Sequence, residues 1–343
     1  MIEFTLESFR FAELFTFLAF TFIIAFLATP LFTDFLYRNK IGKKIRATDY
    51  EGNRTPIFSR LHKGKENTPT MGGLLIWGST ALVTLVANFS RSGTLLPLFT
   101  LVSSGVVGAA DDLMNVFGIG FDRGGMRFRT KFLFYTVVAA AGAIWFAYKL
   151  EWLSRPFYVP PFGEIVLGYW YIPLFIFVLV FTAFSANQTD GLDGLAAGVF
   201  AVAFGAYTFI CMLQGNYALA IFCATITGAI LAFLWFNIFP ARFFMGDTGA
   251  MSLGMTLGVI AFLTNTVYVL PFVGFVLWVE AISTIIQIIS KKLFKRKVFL
   301  VAPVHHHFEA LGWPETKVTM RFWIITTITT VIGLSLVIIN GRF

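Results

Sequence analysis

The sequence predicts an all-α membrane protein that crosses the bilayer about ten times. Three observations carry that reading. Hydrophobic residues fill 57% of the 343 positions and charged residues only 13%, with a mean hydropathy of +0.78. A soluble chain of this size cannot bury so much apolar surface. The apolar residues, including 42 Phe, run in stretches suited to a hydrocarbon core that needs about 20 residues per helix. The basic residues are spread unevenly among the separators between those stretches.

The runs lie at about 11–32, 71–88, 94–111, 131–149, 172–186, 194–213, 217–236, 249–265, 268–290 and 320–340. The first is preceded by Glu3, Glu7, Arg10 and Glu13 and followed by no small-residue cleavage pattern, so it reads as a span and not as a removable signal. The loop after it carries Arg38, Lys40, Lys43, Lys44, Arg46, Arg54, Arg60, Lys63 and Lys65. Arg123, Arg127, Arg129 and Lys131 lie between the third and fourth spans, Arg242 before the eighth, and seven Lys or Arg between 291 and 321 before the tenth. The opposite loops hold only Arg10, Arg91, Lys149, Arg155 and Arg342. The positive-inside bias therefore places both termini outside and the basic loops in the cytoplasm. Residues 150–171, rich in Pro, Trp and Tyr, predict a small outer hairpin or interfacial element. There is no internal repeat or low-complexity tract, and one membrane domain, 1–343, accounts for the chain.

Several function classes are excluded. The two cysteines, Cys211 and Cys223, lie inside apolar runs and form no secreted disulfide framework. The net charge of +8 reads as membrane orientation and attraction to anionic head groups, not as nucleic-acid binding. A zinc hydrolase lacks its His-Glu-x-x-His or Cys ligand set, and Walker A and dinucleotide-binding patterns are missing.

Acidic residues and histidines are scarce, and their positions coincide with the basic loops. Asp111-Asp112 close the third span, and Asn187-Gln-Thr-Asp190-Gly-Leu-Asp193-Gly joins the fifth and sixth. Phe244-Met-Gly-Asp247-Thr-Gly precedes the eighth, and His305-His306-His307-Phe-Glu309 precedes the tenth. Asp193 and Asp247 could be helix caps. Asp111-Asp112 at a helix C-terminus could not, because the dipole there disfavours anions. Carboxylates gathered with Gly turns and cations at one membrane surface suit Mg²⁺ and a diphosphate. Glu280, Ser283 and Gln287 share one helix face, and Glu280 is the carboxylate well inside a span, where an ionisable group is functional by default. A transporter would place such groups near the midplane on interrupted helices, and a catalytically dead scaffold would not need the carboxylates together.

Thr68-Pro-Thr-Met-Gly-Gly73, Asp111-Asp112, Thr189-Asp-Gly-Leu-Asp-Gly-Leu195, Phe244-Met-Gly-Asp-Thr-Gly249 and Pro303-Val-His-His-His-Phe-Glu-Ala-Leu-Gly-Trp-Pro314 with Arg321-Phe-Trp323 together resemble the phospho-N-acetylmuramoyl-pentapeptide transferases, within the polyprenyl-phosphate N-acetylhexosamine-1-phosphate transferases. The resemblance implies ten helices with outside termini, at the inner (cytoplasmic) bacterial membrane. It implies transfer of phospho-N-acetylmuramoyl-pentapeptide from UDP to undecaprenyl phosphate, Mg²⁺, a homodimer and a role in cell-wall synthesis. By the same match Asp247 is the leading metal ligand, and Asp111 and Asp112 are catalytic or metal-assisting. Asn187, Asp190, Asp193, Phe244 and Gln287 lie near the nucleotide. Lys65, Thr70, Lys131, Asn237, His305, His306 and His307 complete the phosphate and sugar surroundings, with His305 and His306 in catalytic roles. The chain departs from the pattern at Asn67, at Gln188 and at Leu113 and Asn115, the last removing a Lys and leaving Lys65, Lys131 or a nearby Arg to supply charge. A sibling enzyme using UDP-N-acetylglucosamine is the nearest alternative.

Overall fold

Backbone in hydrocarbon must satisfy its own hydrogen bonds, and a helix stands at each of the ten apolar runs. The computed structural model describes residues 2–42, 65, 68–120, 124–160 and 162–341, with side chains from residue 10 onward. Asn67, Arg123, Arg342 and the basic residues from Lys43 to Lys63 lie outside the described residues.

The helices are α1 (Ile2–Arg38), α2 (Gly73–Ala87), α3 (Leu95–Phe117), α4 (Phe128–Ile144), α5 (Tyr171–Thr189), α6 (Leu195–Leu213), α7 (Tyr217–Asn237), α8 (Asp247–Leu263), α9 (Leu270–Val273), α10 (Phe275–Phe294), α11 (Val304–Ala310) and α12 (Glu315–Ile339). Among the described residues seven helices can cross a membrane by length and composition, or eight if the bent pair at 267–294 is one span, while α2 and α8 are shorter apolar helices. Buried Thr hydroxyls do not interrupt them. Thr29, Thr100, Thr182, Thr225, Thr256 and Thr326 each donate to the carbonyl four residues back.

Three helices depart from their expected bounds for local reasons. α3 continues past Asp111-Asp112 and ends only at Gly118, which takes a left-handed conformation (φ 67°). The aspartates therefore sit inside its last two turns and not at its end. The ninth run is broken: Pro271 opens α9, Gly274 closes it, and α10 leaves at 83°. The His segment, expected in a loop, forms the short helix α11.

The centre of the bundle is α8, buried at every position from Thr248 to Phe262 and packed between α3, α5 and α2. Around it, α7 packs against both α1 and α6. The outward faces of α1 and α12 are apolar and exposed, with Leu27, Leu31 and Ile339 each more than two-thirds exposed, as a lipid-facing surface requires. Glycine allows the close approach to α8. A Cβ on Gly73 would lie 2.1 Å from the Gly249 backbone, and one on Gly108 would lie 2.3 Å from the Asp247 carbonyl oxygen. The 150–171 segment holds the expected hairpin. Strand β1 (Pro156–Val159) pairs antiparallel with β2 (Gly163–Val166), and the Tyr158 hydroxyl, donating to Asn340 Oδ1 at 3.0 Å, ties it to the end of α12.

Candidate active site

Two sequence-distant motifs zip together before any charged side chain is considered. Phe244 N–H donates to Pro69 O (2.8 Å), Gly72 N–H to Phe244 O (2.8 Å) and Gly73 N–H to Met245 O (2.9 Å). This short ladder brings the start of α2 beside the start of α8, so Thr70, Phe244 and Asp247 share one end of the bundle.

The carboxylates gather there on separate elements. Lys131, from α4, reaches between Asp111 and Asp247: its Nζ is 2.7 Å from Asp111 Oδ2 and also bonds Asp247 Oδ2. Asp111 Oδ1 accepts from Met126 N–H at 2.6 Å, and Asp247 Oδ1 accepts from Asn187 Nδ2 at 2.5 Å. A cation shared by two acidic groups relieves the repulsion that would otherwise part them. Asp112 has a different task. It accepts from Thr248 N–H (3.0 Å), Thr248 Oγ1 (2.6 Å) and Asp247 N–H (3.4 Å), and so caps α8 from another helix. Asp247 is the first residue of α8, and the N-cap position before it is Gly246, which makes no side-chain cap. The Asp247 carboxylate meets Lys131 and Asn187, and its charge suits the favourable dipole of the first turn.

Asp193 is no cap either. Its Oδ1 pairs with Lys65 Nζ at 2.7 Å, and its Oδ2 accepts from Ala241 N–H at 2.9 Å. Glu315, at the start of α12, also pairs with Lys65 and accepts from Asp193 N–H at 2.6 Å. The N-terminus of α6 is met instead by Asn237, whose Oδ1 accepts from Gly194 N–H (3.0 Å) while its Nδ2 donates to Phe243 O (2.9 Å). Asp190 Oδ2 accepts from Gly246 N–H at 3.1 Å and locks the turn after α5 to the entrance of α8. Lys65 Nζ stands 5.9 Å from the Phe244 ring centroid, within cation–π range.

The His segment meets this centre from the α10 side. His305 and His306 rings pack at 3.9 Å between centroids. His305 Nδ1 is 2.9 Å from Glu280 Oε2, and His306 Nδ1 is 2.7 Å from Glu309 Oε2. His307 turns the other way, its Nδ1 accepting from Leu300 N–H at 3.2 Å. The Gln287 amide, expected beside a nucleotide, faces backbone: Oε1 accepts from Val298 and Phe299 N–H, both at 3.0 Å, and Nε2 donates to Phe299 O at 2.9 Å. Gln188, one of the departures from the family pattern, accepts from Thr284 Oγ1 at 3.2 Å and joins α5 to α10. Asn115, another, donates from Nδ2 to Gly124 O at 3.2 Å.

Comparison with known proteins gives matches of two kinds. The glycosyl transferase family 4 model matches residues 94–265, and phospho-N-acetylmuramoyl-pentapeptide-transferase signature 1 matches residues 65–76. A Chloroflexus aggregans phospho-N-acetylmuramoyl-pentapeptide-transferase is 38% identical over 337 residues, covering 93% of this chain and 88% of the relative. A Geobacillus thermodenitrificans protein of the same name is 38% identical over 322 residues, covering 92% and 95%. The chain belongs to the phospho-N-acetylmuramoyl-pentapeptide-transferase family. Like its apolar helices, membership marks it as a multi-pass bacterial membrane protein and a transferase.

Within that family frame, three contributors stand out that the sequence did not single out. Glu315 and Thr248 hold Asp193 and Asp112 as described. Tyr135, one turn beyond Lys131 on α4, is fully buried, with its hydroxyl unpartnered among the described residues. The i, i+4 spacing from Lys131 is the signal that could have found it. The expected metal ligands Asp111, Asp112 and Asp247 do not converge on one point. Among the described residues no three His, Cys, Asp or Glu side chains are placed to hold an ion by themselves. Asp111 and Asp247 do fit Mg²⁺, which takes oxygen donors and is usually held by one or two carboxylates plus substrate phosphates and water. The Thr70 hydroxyl, buried beside Gly246 and without a partner among the described residues, adds an uncommitted oxygen nearby.

Proposed function

We propose that this chain transfers phospho-N-acetylmuramoyl-pentapeptide from its UDP carrier to undecaprenyl phosphate, giving lipid I and UMP in peptidoglycan synthesis. The observation that carries the reading is the meeting of Asp111, Lys131, Asn187 and Asp247 from four helices at one end of the bundle. A phosphate oxygen of the lipid attacks the sugar-bearing phosphorus, a new P–O bond forms, and the bond to UMP breaks. A phosphate monoester with a second pKa of about 6 is mostly ionised near neutrality, so no strong base is needed. The existing bonds of the Asp111 and Asp112 carboxylates support direct attack over a covalent aspartyl intermediate. Lys131 and Lys65 supply positive charge to the phosphates, and the 187–194 loop with Phe244 forms the wall facing the nucleotide. His305 and His306 read the sugar side of the donor. Asp247 and Asp111 would hold Mg²⁺, which when bound neutralises the diphosphate and the leaving oxygen.

The same proposal places the chain in the inner membrane as one domain with ten crossings, both termini outside and the centre in the cytoplasm, as a homodimer. The 21 to 5 division of basic residues supports that orientation. The test is release of labelled UMP when purified protein, undecaprenyl phosphate and Mg²⁺ meet the muramoyl-pentapeptide donor or UDP-N-acetylglucosamine in parallel. Turnover of the first donor alone supports the proposal; turnover of the second alone assigns the sibling activity. Passage of substrate across vesicles without UMP release would make the protein a transporter.

A further inference from the structure

Residues 295–303, between α10 and α11, form no regular element, yet one face of α10 holds them point by point. Glu280, Ser283, Gln287 and Ser290 recur at steps of three, four and three, a single stripe of a helix. Ser290 Oγ donates to Arg296 O at 2.9 Å, and the Gln287 amide grips residues 298 and 299 as described. Ser283 Oγ accepts from Val304 N–H at 3.0 Å. At the end of the stripe Glu280 Oε2 faces both His305 N–H (3.4 Å) and His305 Nδ1 (2.9 Å). The stripe therefore delivers its last contact to an imidazole.

Both members of that contact are fully buried, at 0% exposure. The other ring nitrogen, His305 Nε2, has no partner among the described residues. It presses on the turn between Asp190 and Asp193, where a Cβ on Gly191 would stand 2.3 Å from it. A buried polar atom left unmatched destabilises the fold, and a ligand that supplies the partner removes that penalty. The backbone N–H of His305 can only donate, so Glu280 Oε2 is an acceptor. In the neutral ring the single proton then sits on Nδ1, and Nε2 is left with its lone pair outward.

We propose that Glu280 is a positioning residue for the transfer reaction, fixing His305 as the Nδ1–H tautomer so that Nε2 accepts a hydrogen bond from an O–H or N–H group of the sugar-bearing substrate at the 187–194 loop. The proposal rests on the transferase reading. Ser283, Gln287 and Ser290 place the segment, while Glu280 sets the ring. A hydroxyl or amide N–H meeting Nε2 would satisfy the one ring atom that the protein leaves unmatched, and a substrate without a donor there would leave it so.

The test joins a spectrum to a double-mutant cycle. In protein labelled with ¹⁵N at histidine, the His305 ring should report a protonated Nδ1 and a bare Nε2, with the proton no longer confined to Nδ1 in Glu280→Leu. In transfer assays Glu280→Leu should lower kcat at least about tenfold in the wild-type background and less than about twofold in His305→Ala, because coupled residues are non-additive. Should the Leu variant fail to fold, Glu280→Gln, which keeps size and removes charge, enters the same cycle. Equal losses in both backgrounds, or a wild-type ring protonated on Nε2, would overturn the proposal. A wild-type protein that released no UMP would remove the transferase reading, while the ring spectrum still decided the tautomer.

Discussion

The carboxylate centre and the His segment lie against each other but are built by opposite means. At the first, α3, α4, α5 and α8 each contribute one polar side chain, and Lys131 balances the two acids it touches. At the second, one helix supplies a row of side chains that grip the backbone of residues 296–305. Charge balance holds the first, so its geometry changes when a charge is removed. Backbone hydrogen bonds hold the second, so it should keep its path when one side chain is trimmed. The contrast separates residues expected to act through charge from residues expected to act through position.

The largest test is all-or-none. The proposed orientation turns both regions to the cytoplasm, so cysteine at position 40 or 297 should resist an impermeant thiol reagent on intact cells, while cysteine at 164 in the hairpin should react. The native Cys211 and Cys223 are fully buried and give little background. Labelling of 40 or 297 from outside would place the centre on the wrong side for a cytosolic nucleotide.

Next comes Asp247→Asn. The side chain can still accept from Asn187, and Asp112 still caps α8, so folding should be undisturbed. The lost charge should cut transfer at least about a hundredfold, roughly 2.7 kcal/mol at the transition state. Transfer near the wild-type rate would show that this acid's charge is dispensable. Asp112→Ala should act in the reverse sense, leaving the first amides of α8 and Thr248 Oγ1 without their acceptor and lowering stability by about 1–3 kcal/mol in detergent unfolding. An unchanged melting curve would end the assignment of Asp112 as the cap. The smallest effect belongs to Gln287→Leu, worth about 1 kcal/mol of local stability, seen as faster hydrogen exchange at the amides of 298 and 299. Global destabilisation instead would blur the contrast between the two regions.

Much of this was legible because the chain is so apolar. Where charges are rare, each cluster of carboxylates stands out, and Asp111, Asp190, Asp193 and Asp247 were singled out that way. Helix positions followed from the long runs. What stayed hidden depends on chain segments meeting. No local pattern says that Lys131 fits between two aspartates, that Asp112 caps a helix 135 residues further on, or that Glu315 shares Lys65 with Asp193. The extension of α3 to Phe117 escaped for the same reason, since acids near a helix end look unfavourable until their distant donors are known. The break at Gly274 was readable in principle, because Pro271 and Gly274 lie three residues apart within an otherwise continuous run.

The close approach of α2 and α3 to α8 bears on what a genetic screen of this gene would return. At Gly73 and Gly108 the space a methyl group would need is filled by backbone atoms, which have no alternative rotamer to adopt. Alanine at either site must push α8 away and carry Asp247 with it. Inactivating alleles should therefore collect at these two hydrocarbon-like positions as readily as at the aspartates, and second-site suppressors should be scarce, because no neighbouring residue can be shortened to make room for a main chain.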